Sequence, residues 1–207
     1  KSIDINLIKN IIAFLVFIPS FISLSSSTDL KYIFILLLSG IIGIGLGDTF
    51  YLKSLQTIGT RKTLSIETLS PLMAALSGEI FINENLKPNS WIGIIIVSIS
   101  LFIILKKVNN FKEEKAHFSE KNKFKIYAFP FLSVLCAVLG GLFSRIVFLQ
   151  SNLSPLLTTE IRLLGAIIFL ITLERFKINF FLKTMEKNQR KRFLLSIFLG
   201  TNLGILL

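Results

Sequence analysis

Between residues 67 and 86 the chain reads ETLSPLMAALSGEIFINENL, a helix-length apolar stretch that carries Glu67, Glu79 and Glu84 around Pro71. In lipid those carboxylates are costly; in water the leucines and isoleucines beside them are. Composition decides between the two. Of 207 residues, 52% are hydrophobic, 17% are charged and 20 are Phe, and mean hydropathy is +0.72. A soluble domain carries about a quarter charged residues, and the charges here are gathered into a few loops. The runs between them approach the ~20 helical residues that cross a hydrocarbon layer of ~30 Å. The solvent is lipid, and the chain reads as an all-α, polytopic helical membrane protein.

Working outward, the apolar runs are Leu7–Leu24 (interrupted by Lys9 and Pro19), Tyr32–Leu52, Leu64–Ile82, Trp91–Leu105, Ile126–Leu149 and Leu156–Leu173, with a last one starting at Phe193. They are continuous rather than alternating, which favours helices over strands. Lys1, Lys9, Lys53, Arg61, Lys62 and the basic residues of 106–125 and 175–192 fall on one side of this arrangement. The other side has Lys31 and Lys87, while Arg145 and Arg162 lie within spans. The positive-inside rule places the first side in the cytoplasm.

That asymmetry accounts for the net charge of +11, so nucleic acid is not an expected partner; such proteins carry their basic patches on soluble surfaces. A single cysteine, Cys136, allows neither an internal disulfide nor a cysteine-based metal site. His117 lies in a lysine-rich loop, and the pattern contains no metal cluster, P-loop or nucleophile motif. No cofactor, metal or catalytic residue is expected. The chain begins at Lys1 and ends inside the apolar run NLGILL, and so reads as an internal fragment of a longer protein.

Two stretches echo each other. Residues 29–47, DLKYIFILLLSGIIGIGLG, and residues 189–207, QRKRFLLSIFLGTNLGILL, both place basic residues before an apolar run, with Gly40 and Gly45 matched by Gly200 and Gly204. The preceding segments correspond loosely, LIKNIIAFLVFI beside EIRLLGAIIFLI. Five spans separate the copies, and an odd period inverts the second in the membrane, as in inverted-repeat transporters.

Residues 40–105 carry a more specific pattern. A glycine-rich helix is followed by a short loop and a helix with a central Ser70–Pro71. Glu84-x-Leu86 then closes that segment, and Gly93 opens the last helix. The second half adds SPLLTTEIRLLGAIIFL, with Pro155 ahead of Arg162. This resembles the EamA domain of the drug/metabolite transporter superfamily, with Asn83–Glu84 where that pattern has Gly–Glu. The resemblance implies ten helices in an inverted repeat of five-helix units, of which about seven are present here. By that scheme residues 1–107 are the first repeat lacking its first helix. Residues 108–125 are a basic cytoplasmic loop, and 126–207 are the second repeat, truncated in its third helix. The implied function is secondary transport of a small organic metabolite or drug across the cell membrane by alternating access, with the bilayer and a small-molecule substrate as partners. No oligomeric state is implied.

Ionisable groups inside spans are costly and usually face a partner, a bundle interior or water. Arg145 and Glu160 lie equally far from the middle of the turn QSNLSP, so an antiparallel hairpin would pair them. Arg162 either faces substrate or snorkels to headgroups. Asp48 and Glu67 are matched about the loop after Leu52. Two such acids would carry a proton or hold a cationic group, or else reach interfacial water or pair with Lys53 and Arg61. Asp48, Glu67 and Arg162 are therefore the candidates for substrate binding or proton coupling. Glu67, Pro71, Ala74 and Gly78 fall on one stripe of a helix, and Gly40, Gly43 and Gly47 on a matching stripe of the previous one. Such stripes suit close packing of the two helices, or a cavity wall. Glu84 is expected to cap the next helix or pair with Lys87, and Glu79 to reach the interface. The rival expectations are a membrane-embedded enzyme, for which the usual constellation is missing, and a non-transporting assembly subunit, in which the three candidates would tolerate neutral replacement.

Overall fold

A backbone in lipid must satisfy its own hydrogen bonds, and the apolar runs do so as helices. The computed structural model describes residues 2–19, 29–84, 86–108, 120–174, 186–202 and 204, and within them every regular element is helical. The first is α1 (Ser2–Phe17). A long second helix is built from α2 (Leu30–Gly40), a π-helical segment π1 (Ile41–Gly47) and α3 (Asp48–Thr57). The third span is split into α4 (Thr60–Glu67) and α5 (Ser70–Ile82). Then follow α6 (Pro88–Val108), α7 (Glu120–Gln150), α8 (Pro155–Leu173), α9 (Lys187–Ile197) and a second π segment, π2 (Phe198–Asn202).

Among the described residues three helices are long and apolar enough to cross a membrane: Leu30–Thr57, Ala128–Gln150 and Pro155–Leu173. Of the other expected spans, α1 is 16 residues long, α6 is 21 and the third is broken. The expected extension of the first span to Leu24, the loop 109–119 with His117, Lys1, the basic residues within 175–185 and the end of the last segment at 205–207 lie outside the described residues.

The break in the third span has a local cause. Pro71 lacks an N–H, and its ring clashes with the carbonyl four residues back, which is that of Glu67. The helix stops at Glu67, crosses Thr68 and Leu69, and restarts with Pro71 in its first turn, where proline is tolerated. A single helix Leu64–Ile82 was expected; instead Glu67 ends one helix beside a gap.

The long second helix lies at the centre. It runs antiparallel to α7, as Leu36 shares a buried apolar cluster with Val147 and the Phe50 and Phe129 rings stack at 6.2 Å. Leu157 and Ile161 of α8 complete that cluster. Gly43 crosses Gly140 of α7 almost backbone to backbone, since a Cβ on Gly140 would lie 2.6 Å from the Gly43 Cα. Gly40 abuts the Arg162 backbone, Gly47 faces Cys136 and Ala137, and Gly165 abuts the Leu37 backbone. The glycine stripe therefore packs on α7 and α8, not on the following helix as expected. Of the other stripe, Pro71 and Ala74 are exposed and only Gly78 is buried. Spacing shows that something approaches closely, and leaves the partner open.

Candidate functional site

The widened turns of a π-helix loosen the regular hydrogen-bond ladder. Here α1 answers that need. The Asn6 side-chain amide, fully buried, lies 2.9 Å from the Ile44 carbonyl, 3.2 Å from that of Gly45 and 3.0 Å from Thr49 Oγ1. Thr49 in turn donates to the Gly45 carbonyl at 2.6 Å. One turn along α1, Asn10 Nδ2 donates to Asn6 Oδ1 at 3.2 Å and so braces the amide.

Just past π1, Asp48 opens α3 and forms an ion pair with Lys9 of α1. Two further groups converge on Asp48. The Arg162 guanidinium lies within its electrostatic reach, and one Arg162 Nη would be 3.4 Å from a Cβ placed on Gly43. Glu67, at the break between α4 and α5, interacts with Asp48 and with the Ser133 hydroxyl of α7, and Tyr51 lies within electrostatic reach of both acids. The cluster thus holds two cations and two carboxylates. Asp48 is engaged by Lys9, whereas Glu67 Oε1 and Arg162 Nε are enclosed and have no hydrogen-bond partner among the described residues. Both atoms keep unused hydrogen-bonding capacity.

All three candidate residues, Asp48, Glu67 and Arg162, come together here. Of the cations named as possible partners for the two acids, the Lys53 ammonium sits 4.2 Å over the Phe129 ring. Lys9, read from the sequence only as a topology lysine, is the partner of Asp48. Asn6 and Asn10 were missed as well. Their signal is two amides one turn apart on an apolar helix, too polar for a lipid-facing stripe. In the register of the two echoing segments, Lys9 stands where Arg162 stands in the second copy, and both cations approach Asp48.

The expected Arg145–Glu160 pair does not form. Arg145 Nη2 lies 2.6 Å from Glu84 Oε1, with Nε at 2.8 Å from the same oxygen. Equal depth in a hairpin says nothing of azimuth, and Val147, two residues on and nearly opposite on α7, is the side chain buried against α8. Glu84 is correspondingly no cap or Lys87 partner. Asn83 takes the left-handed conformation (φ 55°) and folds Glu84 back over Gly78, whose absent Cβ would be 3.2 Å from Glu84 Oε2. That hook presents the carboxylate to α7. Among the described residues no group of three or more metal-ligating side chains is found.

Apolar helices closing on buried ionisable groups define a helical membrane protein. Residues 1–106 match the model of the EamA-like transporter family, and the chain belongs to that family, a membrane transporter family of the drug/metabolite transporter superfamily. Comparison with curated proteins and with solved structures gave no match.

Proposed function

We propose that the protein is a secondary transporter that moves a small organic solute across the cell membrane by alternating access. The family match over residues 1–106 carries this reading. The cluster supports it, because discontinuous helices and buried charges mark solute sites in such proteins. Glu67 and Arg162 are assigned to the polar groups of the solute, and Asp48, held by Lys9, orients Arg162. A coupling proton at Glu67 is part of the same reading.

The repeat organisation, 1–107 and 126–207 about a basic loop, is proposed on two grounds. One is the equivalence of Lys9 and Arg162. The other is that α2 and α9 each run 11 residues before turning into a π segment.

The test is counterflow by the full-length protein in proteoliposomes against a panel of radiolabelled amino acids, organic cations and sugars. Loss of a charged hydrogen-bond partner costs about 1.5–3 kcal/mol, so Glu67→Gln and Arg162→Met should each slow uptake of the accepted solute about tenfold or more. Wild-type uptake by both variants would remove the assignment, and no uptake of any solute would count against the transporter reading.

A further inference from the structure

Glu160 stands apart from the cluster. It sits in the second turn of α8, between Leu157 and Ile161 of the buried apolar cluster, and has no accessible surface. Neither of its carboxyl oxygens has a hydrogen-bond partner among the described residues.

Besides α7, which reaches it through Val147, the elements packed on α8 are α1, α2 and π1. Their ionisable groups are Asp4 and Lys9 on α1 and Lys31 and Tyr32 on α2, with none on π1. None of these pairs with Glu160. Lys9 is held by Asp48, Lys31 is exposed, and Tyr32 packs against the apolar cluster. Arg162 is two residues on, about 200° round the helix at 3.6 residues per turn. Arg145 is engaged with Glu84.

A bare carboxylate enclosed in this way loses its hydration with nothing in exchange, whereas an un-ionised acid costs no more than any lone polar group. Side chains of this kind persist inside membrane bundles where they serve proton or ion movement.

We propose that Glu160 is a buried proton-binding site, distinct from the Lys9–Asp48–Glu67–Arg162 cluster, loaded from and emptied to water when α8 parts from α1 and α2. The loading and emptying rest on the transport reading above; the protonated resting state does not. The step is a single O–H bond made or broken at the carboxylate, with hydronium as donor and water as acceptor.

Infrared difference spectroscopy on the full-length protein in lipid vesicles, wild type minus Glu160→Gln, tests it directly. The expected result is the carbonyl stretch of an un-ionised, weakly hydrogen-bonded carboxyl, lost in E160Q and kept in E67Q. Glu160→Met serves the same subtraction if the amide disturbs packing. Ionised carboxylate bands in that place would overturn the site. In D2O the band should shift as the acid proton exchanges, and a band still unshifted after incubation with the solute panel would overturn loading and emptying. Neither readout measures uptake. Intact counterflow without the band defeats only the proton site, and the band without counterflow defeats only the transporter reading.

Discussion

Asn6 shows how a neutral side chain governs a charged site. Its amide satisfies carbonyls of π1, and it does so one turn from Lys9. A leucine there would strand those acceptors. Each lost hydrogen bond is worth about 1 kcal/mol net, so Asn6→Leu should destabilise the protein by about 1–3 kcal/mol, read as a lower denaturant midpoint in detergent. Lys9→Met should impair folding by removing the ion pair from Asp48, and Lys9→Met with Asp48→Asn should recover much of the loss, measured by the yield of monodisperse protein. Recovery to no degree would show that the pair is incidental. The acids of the site were legible in the sequence, because a charge in an apolar run is conspicuous and hairpin arithmetic sets its depth. The amides were less conspicuous, since Asn6 and Asn10 carry no charge that calls for a partner.

At the level of elements, the crossing of α2–π1 with α7 depends on Gly43 and Gly140. A methyl on Gly140 would meet backbone atoms of Gly43 at 2.6 and 2.8 Å and the Ser39 carbonyl at 2.9 Å. Backbone cannot swing aside as a side chain can, so Gly140→Ala should destabilise by about 1–3 kcal/mol. Its neighbour is the control. Gly141 has nothing within 4 Å of its would-be Cβ, and Gly141→Ala should be neutral or stabilising by about 0.5–1 kcal/mol. Equal effects in thermal unfolding of the two variants would contradict the packing described. That helices would form was legible from hydropathy, because lipid leaves the backbone little choice. Which helix each glycine stripe meets was not, since spacing along one element carries no information about its neighbour's azimuth. The stop at Glu67 was implicit in Pro71 and would have followed from counting four residues back.

Across the whole molecule, the Glu84–Arg145 pair ties the family-matched half of the chain to the half beyond it. Both side chains are partly exposed, at 33% and 56%, so the tie is modest. Coupling energies for polar contacts between membrane helices average about 0.6 kcal/mol and reach about 1.7, and a double-mutant cycle with Glu84→Gln and Arg145→Gln should fall in that range. The charge-reversed pair Glu84→Arg with Arg145→Glu should restore stability that either change alone removes. The sequence misread this contact because depth was known and facing was not. The π1 segment has a different implication. A π-turn contains one residue more than the α-turn it replaces, so it acts as an insertion absorbed in mid-membrane while the flanking helices keep their facing. Removing one residue from positions 41–47 should therefore leave Asp48 opposite Lys9 yet deprive Asn6 of its carbonyl acceptors in π1. Length variation is expected to be tolerated there, deep inside the bundle, in place of the loops where insertions and deletions ordinarily gather.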